Sequence, residues 1–339
     1  MNVLITGAAG YLGSLLVQRL SGAEKDGKPI HIIATDIQEK PDFLPGASID
    51  YVKLDIRSKE VHKVMATYQI DTVVHLASIV TPGKKSNREL EYSVDVLGTQ
   101  NILQACVTNG VKRIVVSSSG AAYGYHPDNP ERITEEHPIR GNQEFAYSYH
   151  KRLVEQTLAE YRQNYPDLEQ VIFRIGTILG ETVNNQITAL FEKKALIGIS
   201  KSDSPFVFIW DQDIVCCLER AVTGNVTGIF NVAGDGKLTI DELAHILNKP
   251  VFRLPASIVK FALFILKRLS LSQYGEEQVN FLRYRPVLDN TRLKTSFGYT
   301  PTYTTREVFE YYLMRNTRMK SQRNQYRISE KSFSKWESS

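Results

Sequence analysis

The chain has 339 residues, 42% of them hydrophobic and 23% charged, with a net charge of +4. That size accommodates a large domain with a smaller lobe, and the composition excludes a disordered, collagenous or disulfide-stapled chain. The positive charge is local: residues 315–339 hold seven Lys/Arg and two Glu while the remainder nets −1, so it gives no basic face for nucleic acid.

The first element is a short strand, Val3-Leu4-Ile5, reached directly from Met1-Asn2, so no secretory signal is expected before it and a cytoplasmic location is. Thr6-Gly7-Ala8-Ala9-Gly10-Tyr11-Leu12-Gly13 follows and runs into the helical stripe Leu12, Leu15, Leu16, Leu20. Strand, glycine turn and helix in that order make a dinucleotide cradle. Glycine permits a tight turn and close backbone approach to a pyrophosphate, and the helix N-terminus offers N–H groups and partial positive charge. Gly7, Ala9, Gly10, Tyr11, Leu12 and Gly13 are the expected cofactor contacts.

Strands are predicted over His31–Asp36, Tyr51–Leu54, Thr72–Leu76, Arg113–Ser117, Val171–Arg174 and Gly228–Ala233, with helical patterns such as Val94–Cys106 and Tyr147–Tyr165 between them. This alternation implies an α/β, Rossmann-type doubly wound parallel sheet. Asp36 closes the second strand, 23 residues after Gly13. A carboxylate there accepts hydrogen bonds from the adenosine ribose and repels a 2′-phosphate, so NAD is expected ahead of NADP. Tyr147 and Lys151 are four apart on one helix face, where an ammonium assists proton transfer at a phenol. Cys106, Cys216 and Cys217 have neither ligand nor redox spacing; they read as reduced core residues, and no metal site is expected.

These motifs resemble the extended short-chain dehydrogenase/reductases, the NAD-dependent epimerase/dehydratase family, over about residues 1–314. The resemblance implies that Ser119, in Ser117-Ser118-Ser119-Gly120-Ala121-Ala122-Tyr123-Gly124, joins Tyr147 and Lys151 as the catalytic set. It places Asp55 and Ile56 near adenine, and Leu76, Ala77 and Ser78 along the nicotinamide side, with His75 a packed strand residue. Asp95 stands where the family usually has asparagine, which puts any proton relay or backbone contact there in question. The family divides the chain into a cofactor domain (1–180 and about 211–234) and a smaller mixed α/β substrate lobe (about 181–210 and 235–314). The polar, basic tail 315–339 is expected to be mobile. The family also commonly forms homodimers through the two helices matching Val94–Cys106 and Tyr147–Tyr165.

Three outcomes share hydride transfer at a secondary alcohol or ketone. Dehydratases carry acids at the two positions after the serine; Gly120 and Ala121 cannot serve. Epimerisation of a sugar-like, possibly nucleotide-linked, substrate is the leading reading, although Thr177 and Ser204-Pro205 replace residues typical of uridine-diphosphate sites. Thr177, Asn184, Asn185, Arg283 and Arg285 are candidate substrate contacts. A hydroxysteroid-dehydrogenase-like activity on an apolar substrate is the alternative, and a non-catalytic NAD-binding regulator is a second. The apolar, basic-flanked stretch 256–269 is too short and too charged to span a bilayer. It reads as a lobe helix, a pocket wall or a membrane-surface helix.

Overall fold

A computed structural model describes residues 1–41, 49–80, 87–269, 275–276 and 278–328. Seven strands, β1 Asn2–Thr6, β2 His31–Asp36, β3 Ile49–Lys53, β4 Thr72–His75, β5 Arg113–Ser119, β6 Glu169–Ile175 and β7 Gly228–Val232, form one sheet. Their spatial order is β3-β2-β1-β4-β5-β6-β7, with every pairing parallel. Helices cover both faces, so the strands read as continuous apolar runs rather than alternating ones; Val3, Leu4 and Ile5 are all fully buried. Chain order reverses between β1 and β4, which opens a crevice beyond their carboxyl ends.

On one face, helices α1 (Tyr11–Leu20) and Asp211–Thr223 contribute Leu16, Val17, Leu20, Ile214 and Leu218 to a core with Val3 and Ile5. On the other, Glu60–Thr67, Thr99–Thr108 and Ala146–Asn164 contribute Val61, Met65, Ile102, Leu103, Val154 and Leu158. Cys106 and Cys217 are free and buried in these two cores; Cys216 is half-buried.

A third core holds the lobe together, with Phe191, Phe206, Phe208, Leu243, Phe309 and Tyr312 at its centre. Two small parallel strand pairs frame it: Thr177–Leu179 with Phe208–Trp210, and Leu196–Ile199 with Val251–Leu254.

Two segments differ from the sequence reading. The helix expected over Val94–Cys106 is broken: Arg88–Tyr92 is α-helical, Ser93–Gly98 is π-helical, and Thr99–Thr108 is α-helical again. Part of the tail, residues 316–328, makes contacts with the lobe. Helix Thr305–Arg315 ends at Asn316, whose Nδ2 donates to the carbonyls of Gly180 and Val183 (3.2 Å each). Met319 is buried, Tyr326 and Ile328 pack on the lobe core, and the Arg327 N–H donates to Ile246 O at 2.8 Å. Average polarity concealed these apolar anchors. Residues 329–339 of the expected mobile tail lie outside the described residues.

Candidate active site

The glycine turn is shaped by its neighbours. Gly7 has φ +71°, and a Cβ there would sit 2.8 Å from Ala77 N, so the turn runs directly against the segment that follows β4. A Cβ on Gly13 would lie 2.1 Å from Gly7 O, which is how closely α1 packs under the turn. The helix starts at Gly10 with no side-chain cap, leaving its first N–H groups for an anion. Asp36 ends β2 beside this turn; its Oδ2 accepts the Ala9 N–H and its Oδ1 the Gln38 N–H, both at 3.1 Å. Tyr11 is anchored away from the turn: its hydroxyl donates to Asp211, and burial with that carboxylate raises its pKa. Gly180 makes room for the pair, since a Cβ there would meet the Asp211 carboxylate and the Tyr11 hydroxyl.

Across the crevice, Asp55 is held by a bidentate pairing with Arg57, which keeps its carboxyl below the usual range. Ile56 next to it is buried against Gly98. Leu76 and Ala77 both donate their N–H groups to Thr6 Oγ1 at 3.3 Å. His75 is a packed residue, as expected. Its Nδ1 lies 2.7 Å from Thr6 Oγ1 and its Nε2 3.0 Å from Thr99 Oγ1, and burial pushes its pKa down to about 3.

The proton-transfer candidates converge at the end of β5. Lys151 Nζ donates to Ser117 O at 3.1 Å and lies 5.6 Å from the centre of the Tyr147 ring. Ser119 Oγ accepts the Ala121 N–H at 3.1 Å and caps the short turn Gly120–Tyr123. Ser148, between Tyr147 and Lys151, fixes that turn to the helix: its hydroxyl donates to Ala121 O at 2.6 Å and accepts the Asn142 N–H at 3.1 Å. Behind them runs a buried network. Ser118 donates to Glu155, Glu155 forks with Arg174, and Arg174 donates to the Tyr123 hydroxyl at 2.8 Å.

Asp95, which stands in place of asparagine, makes a backbone contact: Oδ1 accepts the Ile79 N–H at 2.9 Å. Its Oδ2 faces His150 Nδ1 at 3.5 Å, with both side chains buried. A small cavity lies among Asp95, Lys151, Ser117, Thr99 and Ser78, whose buried hydroxyl has no partner among the described residues. The uncapped helix and the glycine turn without room for side chains fit a dinucleotide, and the orphaned Ser78 hydroxyl lies near the same crevice.

The candidate substrate residues separate. Arg285 is buried between the rings of Phe206 and Phe281, with its carbon centre 3.9 and 4.8 Å from theirs. Its Nε and Nη2 have no partner among the described residues, and burial lowers its pKa to about 10. Arg283 instead stacks on Tyr284, at 4.6 Å. Asn185 caps the short helix Thr188–Phe191, accepting the Ile187 and Thr188 N–H groups. Asn184 accepts from Arg318 at 3.0 Å, and Thr177 pairs through its N–H with Val207 O at 3.1 Å. Both asparagine side chains are thus occupied by structural bonds. Sequence reading missed the aromatic wall Tyr125–Phe145–Phe281, whose centroids lie 5.1–5.6 Å apart. Its residues come from three distant loops and helices without a common pattern.

A sequence model of the NAD dependent epimerase/dehydratase family matches residues 3–233. An uncharacterized protein of Mycobacterium tuberculosis is 26% identical over 316 residues, covering 91% of this chain and 82% of the relative. The dTDP-4-dehydro-6-deoxyglucose reductase of Escherichia coli is 26% identical over 263 residues, covering 71% of this chain and 79% of that enzyme. The crystal structure of a Thermus thermophilus UDP-glucose 4-epimerase with NAD superposes with a TM-score of 0.67 at 23% identity, covering 92% of this chain and 99% of that one. A parallel sheet that reverses at β1 and β4, a glycine turn closed by backbone, and a family match across both make the chain a member of the NAD-dependent epimerase/dehydratase family, an NAD-using enzyme of the extended short-chain dehydrogenase/reductase type.

Proposed function

We propose that the protein epimerises a secondary alcohol of a nucleotide-sugar substrate through a transient ketone. The observation that carries this reading is the Lys151–Tyr147 pair set against the Ser117–Ser119 strand end. The Gly7–Gly13 turn, Asp36 and the Leu76–Ser78 segment would hold NAD, which would supply reversible hydride transfer. Tyr147 Oη takes the alcohol proton and returns it when the ketone is reduced. The Lys151 ammonium offsets the negative charge left on that phenol oxygen, and Ser119 Oγ holds the substrate oxygen beside it.

Dehydration is disfavoured on geometry as well as chemistry. Gly120 packs on Leu288, and a Cβ there would sit 3.2 Å from its methyls, so an acidic side chain would have to push Leu288 aside. The buried Arg285 supports an anionic substrate. A guanidinium with unpaired N–H groups is costly to bury, and a phosphate oxygen satisfies both its charge and its donors. The Tyr125–Phe145–Phe281 wall favours a second reading, a dehydrogenase for an apolar alcohol. We propose also that two copies pair through Ala146–Asn164 and the helical run from Arg88 to Thr108, where Leu90, Tyr92 and Leu97 are exposed.

One assay tests the chemistry and separates the readings. With catalytic NAD and UDP-glucose or related sugars, epimers form without net reduced NAD. Stoichiometric reduced NAD from a hydroxysteroid would establish the dehydrogenase instead. Tyr147→Phe loses turnover by about 100-fold or more with NAD affinity nearly unchanged; near wild-type turnover would refute the assignment. Arg285→Ala abolishes thermal stabilisation by UDP-glucose, and no stabilisation of the wild type by any nucleotide sugar would end the nucleotide reading.

A further inference from the structure

Helix Ala256–Arg268 is apolar in sequence yet has no buried residue; among the described helices of eight or more residues it alone lacks one. Ala256, Val259 and Leu263 are its partly covered positions. Ile258, Phe261, Phe264, Ile265 and Leu269 are exposed, Phe261 at 67% and Leu269 at 61%. Phe261, Ile265 and Leu269 are spaced by four and make one row. Lys260, Phe264 and Arg268, also spaced by four, make the adjacent row. The helix carries basic residues and no acidic one. Just before it, Phe252 and Ile197 are register partners on paired strands and are also exposed, at 60% and 57%.

A core helix buries such a face, and a solvent-facing helix does not carry it. Lys260 and Arg268 beside a contiguous apolar row complement a surface that is greasy within and negative at its rim. We propose that the outward face of Ala256–Arg268 docks on an anionic lipid bilayer. The helix lies in the interfacial plane, its Phe261–Ile265–Leu269 row entering the acyl boundary and its basic row facing phosphate headgroups. No described helix is long and apolar enough to cross a membrane, so this contact is peripheral and reversible. Helix Gln278–Arg283, which carries Phe281 of the aromatic wall, packs beside this helix, so docking brings the bilayer close to that wall. The inference stands on this face alone and does not depend on the reaction assigned above.

The test is flotation of the full chain with vesicles of phosphatidylcholine alone or with phosphatidylglycerol. Wild type floats with the anionic vesicles and is released by high salt. Lys260→Glu/Arg268→Glu lowers partitioning about tenfold or more, and Phe261→Ser/Ile265→Ser removes it, while thermal unfolding without vesicles is unchanged because these side chains are exposed. An independent reading comes from Phe261→Trp, whose emission moves to the blue when anionic vesicles are added. Failure of wild type to float and of Phe261→Trp to shift would overturn the proposal. So would self-association of the free protein abolished by Phe261→Ser/Ile265→Ser, since the face would then bind a second copy.

Discussion

His75 shows how one residue type acquires its role from its surroundings. Histidine in an enzyme crevice invites a catalytic assignment, yet both ring nitrogens of His75 are engaged by threonines and burial holds its pKa near 3. In the unfolded chain the same imidazole takes a proton below about pH 6.5. Its neutral, buried form therefore stabilises the fold fully above that pH. The contribution falls as pH drops from about 6.5 toward 3, at about 1.4 kcal/mol per pH unit well inside the window. Urea unfolding at pH 7.0 and 5.0 should show this loss, and His75→Gln should flatten it while lowering stability at pH 7. Equal slopes for both proteins would show that other groups govern acid unfolding. The surroundings also explain why Arg285 was only partly legible. Sequence named it as a substrate contact beside Arg283, but Phe206 and Phe281, which enclose it, come from different parts of the chain.

The elements of the sheet were readable because a parallel strand buried on both faces leaves a short apolar run. All seven stand where those runs are, His31–Asp36 at both ends and the others with ends displaced by no more than two residues. The glycine turn was readable for a related reason: backbone contact leaves no alternative residue. Gly13→Ala places a Cβ 2.1 Å from Gly7 O. It should cost at least about 1–3 kcal/mol by forcing α1 off the turn, and weaken NAD binding, measured by thermal melting with and without NAD. An unchanged melting point would mean that α1 slides freely. The π-helical turn Ser93–Gly98 had no such signature. Its extra residue per turn is set by tertiary contacts, with Asp95 bonded to Ile79 N and Gly98 seated on Ile56, and none of these is local in sequence. The small strand pairs of the lobe carry little signature of their own, each strand being only three or four residues long.

At the scale of the whole molecule, two groups of exposed apolar residues among the described ones lie on helices: the run with Leu90, Tyr92 and Leu97, and the lobe face of Ala256–Arg268. We assign the first to a second copy of the chain and the second to a bilayer. Sedimentation at micromolar concentration should give a dimer, and Leu97→Glu should shift it toward monomer without altering flotation on anionic vesicles. A wild-type monomer would refute the pairing, and coupled loss of both properties would mean that one surface serves both. The lobe itself was legible only as a region. Its core joins residues from Leu179 to Met319, and the docking of 316–328 depends on single apolar side chains within a polar tail.

The central position of β1 also bears on how the chain is made. Of the seven strands of the sheet, β1 leaves the ribosome before its partners, which are β2, beginning at His31, and β4, beginning at Thr72. At about 5–20 residues per second, one edge of this apolar strand stays unpaired for about 4–14 seconds of synthesis. A parallel partner cannot form from a simple hairpin. The segment that becomes the floor of the cofactor crevice is therefore, while nascent, an open strand edge prone to pairing with other chains. Slowing translation between residues 40 and 75 should lengthen that exposure and lower the soluble yield, with no change in the sequence of the finished enzyme.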